Sequence, residues 1–394
     1  MIFLLITYKF CIWSHRLSVR THGFHPWKRG SIPLGTAKKF ELYCDLKRLI
    51  IRTDKLGDFY QTLPYLNSIK RSYGKENLDL LISESIFDHF AEKNYLYNNI
   101  YAFPKKGILK KIILIFKLRK NIYNNILILD GKDRSIIFSL LLKSLGKIIL
   151  YEKKKINFLF KIFISNKNNI IQKDKIISDY DLYNTVLKKM NINNKPIDFN
   201  FINYSSLSNI ILPDKLSEEF KKYTLIHLDE KWFSKFYIKE FFDINPSVQS
   251  FLSFMISFFN THKQNIIITT GLIKLPFVNL LCDQIFTNIK SNLYEYKYDK
   301  NIAILILKTT FKDLEIITMN SKNLITCHTS LSFVAAAFDV NLIDIIDKNN
   351  DKEYNYQRHT SHIKKYHKVY RKRFKELSRE ILLKIEQWVI MYIC

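Results

Sequence analysis

The stretch Leu49-Ile50-Ile51-Arg52-Thr53-Asp54-Lys55-Leu56-Gly57-Asp58-Phe59 restricts the fold of this chain more than any other. A short continuous apolar run ends in a polar turn, and a helical pattern follows from Phe59 to Tyr73. Unbroken apolar strands belong to parallel sheets that are covered on both faces. Strand, tight turn and helix together deliver the turn residues to the carboxyl end of a sheet, where open α/β folds bind ligands. Gly57 is expected to permit a close backbone approach or a positive φ. Asp58 has two readings on spacing alone: a helix N-cap, or a carboxylate offered to a ligand.

The same unit recurs along the chain. Apolar strands are predicted near 48–52, 78–82, 99–103, 125–129 and 147–151, with helices near 59–73, 85–93, 107–119, 136–145 and 181–190 between and after them. A second series begins at 223–227 and continues with strands near 265–269, 302–307, 324–326 and 342–346 and helices near 248–261, 312–319 and 331–338. Alternation of this kind predicts parallel sheets built from βαβ units. The expected organisation is a leader over 1–45, poorly ordered; an N-terminal Rossmann-like domain over 46–195; a linker over 196–222; a C-terminal Rossmann-like domain over 223–350; and a basic helical segment over 351–394.

Lys and Arg number 62 against 36 Asp and Glu, a formal charge of +26. That balance points to an anionic partner, whether nucleotide phosphate, nucleic acid or an acidic membrane surface. A chain dense in Lys, Asn and Ile and poor in Gly and Ala also reflects an AT-rich coding bias. No nucleic-acid-binding motif accompanies the charge, so nucleic acid is not the expected partner. Five scattered cysteines without a CxxC pair fit a reducing cytosol and argue against a disulfide framework or a structural zinc site. Met1–Trp13 is apolar apart from Tyr8 and Lys9; it reads as an interfacial anchor or as an unstructured start, and poorly as a signal peptide.

Ile50-Ile51-Arg52-Thr53-Asp54-Lys55-Leu56-Gly57-Asp58 with Thr62-Leu63-Pro64 resembles the opening motif of glycosyltransferase family 9, the ADP-heptose:lipopolysaccharide heptosyltransferases and their relatives. The strand ending at Asp130 and running on to Ser135 extends the likeness, which covers about 47–346. The resemblance implies a GT-B type α/β fold, two Rossmann-like domains facing across a cleft. It implies an inverting transfer of a heptose or similar sugar from a nucleotide-diphosphate donor, ADP-linked, to lipopolysaccharide core or another surface glycan or glycolipid. Asp58 takes the position of the catalytic base, and Thr53, Lys55 and Gly57 form the acceptor-side loop. Lys231 and Trp232 match a Lys-Trp element that contacts the donor nucleotide, with Lys235 nearby. Cys327-His328-Thr329-Ser330-Leu331-Ser332-Phe333-Val334-Ala335-Ala336-Ala337 stands where the family has Asp-Ser-Gly-Pro-x-His-x-Ala-Ala-Ala. His328 replaces its Asp, Thr329 its Ser and Ser330 its Gly, so the donor motif is degraded. In this scheme lysine and backbone amides at a helix start carry the leaving-group charge, and neither a metal nor a cofactor is implied. A GT-B-shaped protein that binds a nucleotide or partner without catalysis is the alternative. The carboxy-terminal helix is expected to cross back to the first domain.

Three further motifs are ambiguous. Asp130-Gly131 faces the cleft or forms a plain turn. Asp179-Tyr180-Asp181 fits a DxD metal pattern, but Ser178 before a helix reads better as an N-cap. The basic, apolar helix at 107–119 is a solvated face, or a peripheral contact with an anionic membrane at the inner face of the cytoplasmic membrane.

Overall fold

Arg48–Arg52 forms β1, and all five of its residues are buried, as a strand covered on both faces requires. The computed structural model describes residues 47–91, 93, 96–151, 170–172, 178–192, 223–271, 273–349, 351 and 357–391. The expected leader and the whole of the expected linker, 196–222, lie outside these residues.

In the first half, β1 leads into α1 (Leu56–Tyr73), β2 (Leu78–Ser83), α2 (Phe87–Ala91), β3 (Asn99–Phe103), α3 (Ile108–Leu118), β4 (Tyr123–Ile128), α4 (Asp133–Leu140), β5 (Ser144–Tyr151), β6 (Ile170–Gln172) and α5 (Asp179–Lys189). The six strands lie in the order β3-β2-β1-β4-β5-β6, and every pairing is parallel. The order reverses between β1 and β4, which opens a crevice at their carboxyl ends.

The second half runs through β7 (Tyr223–Leu228), α6 (Val248–His262), β8 (Ile266–Thr270), α7 (Pro276–Gln284), β9 (Thr287–Lys290), β10 (Leu293–Tyr298), β11 (Asn301–Ile306), α8 (Phe311–Asn320), β12 (Ser321–Cys327), α9 (Ser330–Ala337), β13 (Asn341–Ile346), α10 (Gln357–Thr360), β14 (Tyr366–Tyr370) and α11 (Phe374–Met391). Its sheet has the order β14-β13-β12-β7-β8-β11-β10-β9. Six of its strands are parallel, and β9 and β10 add an antiparallel edge. Here the order reverses between β7 and β12, so each sheet presents one switch point.

The halves share a core. α1 contributes Phe59, Tyr60, Leu63 and Leu66 to a cluster that also contains Leu331, Phe333 and Val334 of α9 and Leu314 and Ile317 of α8. Polar side-chain contacts cross between the halves at Glu315 and Asp179. Lys93 Nζ reaches both carboxylate oxygens of Glu315, at 2.8 and 2.9 Å, and His359 Nδ1 lies 2.5 Å from Asp179 Oδ2. A second cluster, rich in Phe251, Phe254, Phe258, Phe277 and Phe374, fills the other face of the second sheet.

Three expectations need correction. Asp58 is not the N-cap of α1: the helix starts at Leu56 with Lys55 as cap, and Asp58 is the third helical residue. The stretch expected to be one long C-terminal helix contains strand β14, which adds to β13 in parallel before α11 begins. α11 packs on α6 of its own half, and the short α10 makes the crossing to the first half by contacting α5. Among the described residues no helix is long and apolar enough to cross a membrane.

Candidate functional site

The two switch points face one cleft of about 1000 Å³. From the first half come Lys55, Gly57 and Asp58; from the second come Asp229, Lys231, His328, Thr329 and Ser330. All but one of these were expected from the sequence, and the two halves bring them together.

On the first side, the loop after β1 is braced from below. Asp130, at the end of β4, is buried and accepts from the Thr53 amide at 3.0 Å, the Thr53 hydroxyl at 2.6 Å and Ser135 Oγ at 2.6 Å. Gly131 follows with φ +62, a turn that its lack of Cβ permits. Asp130-Gly131 is therefore a structural turn, and Thr53 ties β1 to it; neither lines the cleft. Arg52, also buried, donates to the Leu129 carbonyl and, at 3.1 Å, to the Asp58 carbonyl. These bonds fix the first turn of α1 and leave the Asp58 side chain exposed to the cleft.

On the second side, Lys231 sits in a one-turn 3₁₀ helix, Glu230–Trp232, capped by Asp229. Its Nζ donates to the His328 carbonyl at 2.5 Å and so links the loops after β7 and β12. Arg371, just after β14, donates to the Lys231 carbonyl at 2.6 Å and to the Phe242 carbonyl at 2.7 Å, which pins the lysine loop from behind. Trp232 is 1% exposed in the phenylalanine-rich core, and its indole donates to the His227 carbonyl at 2.8 Å. It props the lysine loop and presents no face to the cleft, a correction to its expected donor contact. Lys235 lies on a separate cavity of about 280 Å³.

His328 is oriented by a network that sequence reading missed. Its Nδ1 lies 2.6 Å from Asp344 Oδ2, and the fully buried Asp344 also accepts from Ser332 Oγ at 3.1 Å and Tyr366 hydroxyl at 3.2 Å. One signal was available: Asp344 is a lone carboxylate within the buried apolar strand Asn341–Ile346. The start of α9 is held by a capping box, in which Thr329 Oγ1 accepts from the Leu331 amide and Ser332 Oγ accepts from the Thr329 amide. α1 approaches this start closely. A Cβ on Gly57 would lie 3.5 Å from Ser330 Cβ, an ordinary contact, so neither a positive φ nor the spacing of the two helices requires the glycine.

Burial sets the protonation of the cleft floor. His227 is driven down to about 3, by desolvation and then by Lys231, so its imidazole is neutral. Asp229 is raised from 3.8 to about 7, chiefly by desolvation, with Lys231 opposing. Glu230, Glu240 and Asp347 line the cleft as well, so its positive character is local to Lys55, Lys231 and the two helix starts.

Asp179 and Asp181 serve structure. Asp179 pairs with His359, and the Asp181 amide donates to Ser178 Oγ at 3.1 Å, the N-cap arrangement.

No family model matches the sequence, and no curated protein matches it. Solved structures do. The Escherichia coli heptosyltransferase WaaC with ADP-2-deoxy-2-fluoro heptose is similar at TM-score 0.57 and 13% identity, over 88% of this chain and 100% of that one. A glycosyl transferase family 9 protein from Veillonella parvula is similar at 0.57 and 15% identity, over 88% and 98%. The Escherichia coli ADP-heptose lps heptosyltransferase II is similar at 0.57 and 10% identity, over 89% and 100%. The shared feature is the fold: two Rossmann-like halves facing across a cleft, the GT-B arrangement.

Proposed function

We propose that this chain is a divergent family 9 glycosyltransferase that moves a heptose or similar sugar from an ADP-linked donor to lipopolysaccharide core or another surface glycan in the cytoplasm. The observation that carries this reading is the meeting of Gly57-Asp58 with the start of α9 across one cleft, with Lys231 beside it. WaaC, of the same fold, is described with ADP and with an ADP-heptose analogue.

In this scheme the donor diphosphate lies at the start of α9 near Thr329 and Ser330, where the helix dipole favours anions. Lys231 neutralises the charge that develops on the departing diphosphate. Asp58 takes the proton from an acceptor hydroxyl as its oxygen attacks the anomeric carbon. The new C–O bond forms on the face opposite the breaking C–O bond, so configuration inverts, and ADP departs with the bonding electrons. General-base help of this kind contributes about 10²–10⁴-fold. Lysine and amides carry the leaving-group charge, and the scheme requires no metal.

A second reading rests on Ser330. Its side chain stands where the family motif has glycine, a residue that would leave the backbone at the start of α9 more open to a diphosphate, and this suits a protein that binds nucleotide or partner without transfer. Thermal stabilisation by ADP, UDP, GDP and CMP, with and without chelator, followed by an assay of sugar transfer, separates the two. A chelator-insensitive shift with ADP supports the transfer reading, and Asp58→Asn then keeps that shift while transfer falls by at least about a hundredfold. A chelator-sensitive shift refutes metal independence; a shift with another nucleotide alone changes the donor; no shift with any refutes the donor assignment.

A further inference from the structure

We infer that α3 is a docking surface for an anionic lipid bilayer. Leu114 and Leu118 are buried under α3 with Phe103, Tyr123 and Ile126, so they define its inner face. At 100° per residue, Leu109, Ile113 and Phe116 fall on the opposite side, and they are 75%, 66% and 66% exposed. Ile108, at 72%, flanks them. A surface helix ordinarily turns charged residues to solvent on that side. Here the outward stripe is apolar, on a helix of about 16 Å.

The rim specifies the occupant. Lys105, Lys106, Lys110, Lys111, Lys117, Arg119 and Lys120 surround the stripe, and no Asp or Glu occurs anywhere from 93 to 129. Lys111 and Lys117 hold Nζ 5.6 and 5.2 Å from the Phe103 and Tyr101 ring centroids. An apolar stripe that enters the acyl boundary, ringed by lysines at headgroup level, matches the chemistry of an anionic bilayer surface. A second copy of this chain is disfavoured, because two such faces would oppose their lysines with no carboxylate on either segment to pair them. All strands of the first sheet run in parallel, so α3 starts at the same sheet edge as α1. α3 itself packs on the face of that sheet opposite to α1. The inference goes beyond the transfer reading and does not rest on it.

The test is sedimentation of the full-length protein with vesicles of phosphatidylcholine alone and with about one third phosphatidylglycerol. Wild type is expected to bind the anionic vesicles, in a salt-sensitive way, and to leave the neutral ones. L109Q/I113Q/F116Q is expected to lower that partitioning about tenfold or more, with an unchanged melting temperature because the three side chains are exposed. Failure of wild type to bind anionic vesicles overturns the inference. So does equal binding by the triple variant, which would place the attachment elsewhere in the chain. A wild-type dimer that the triple variant dissociates, without vesicle binding, assigns the face to a second copy and also overturns it. None of these outcomes depends on nucleotide binding.

Discussion

Asp229→Asn is expected to stabilise the protein, and more so as pH rises. Asp229 lies buried at the floor of the cleft, and its carboxyl is raised from 3.8 to about 7. The sign follows from proton counting. Between the two values the folded chain keeps a proton that the unfolded chain has lost, so raising the pH through this window removes stability, and above about 7 the cost is constant. At 1.36 kcal/mol per tenfold change, the full cost is about 4 kcal/mol, and about half of it is already present near pH 5.5. Asparagine escapes the ionisation and can still accept from the Lys231 amide, which is 3.1 Å away. Its advantage over wild type should therefore grow by about 2 kcal/mol between pH 5.5 and 8. Urea unfolding followed by tryptophan fluorescence measures it, and the buried Trp232 beside this loop is a local reporter. An advantage that is flat or shrinks with pH would refute the assignment of a buried, reluctantly ionised carboxylate.

Three other outcomes are expected. Lys93→Met takes the lysine from the 1%-exposed Glu315, which keeps His89 Nε2 at 3.5 Å, and should cost about 1–3 kcal/mol in urea unfolding, with partial recovery on adding Glu315→Gln; a loss below about 1 kcal/mol would remove the contact from the account of how the halves are held. Lys231→Met should weaken ADP binding about tenfold or more in calorimetry, whereas Trp232→Phe should lower stability and leave ADP affinity near wild type; equal effects of the two on affinity would contradict the core placement of Trp232. Gly57→Ala should change stability by less than about 1 kcal/mol, since the new methyl meets Ser330 at contact distance and the residue is helical; a large loss would show that the helices approach more closely than described.

The elements that were legible in the sequence are those whose burial is complete. β1, β7 and β13 are buried at every residue, and each appears as an uninterrupted apolar run or nearly so. β14 did not, because only Val369 of its five residues is buried and it lies in a basic stretch. β9 is exposed throughout and adds to the sheet edge by backbone pairing alone, which leaves no pattern in the side chains. Within the site, Asp58, Lys231 and His328 were found through motif resemblance. Asp344 and Arg371 were not, because each acts on its partner from a strand, or the end of one, distant in sequence. Trp232 shows the converse: the resemblance set it beside Lys231 as a donor contact, whereas its side chain turns into the core. Its indole had a buried carbonyl to satisfy, and the core offered more apolar contact than the cleft.

The approach of Gly57 to Ser330 sets two helix starts of like polarity head to head. Each carries roughly half a positive charge. A closed cleft therefore contains its own repulsion, which a multivalent anion between the poles would turn into mutual attraction. The ligand would then act as a mortar between the halves as well as a reactant. Solution anions would compete for that role, so phosphate or pyrophosphate at matched ionic strength would bias the halves toward closure before any sugar arrives. The composition of the surrounding salt, and not only its concentration, would belong to the description of this fold.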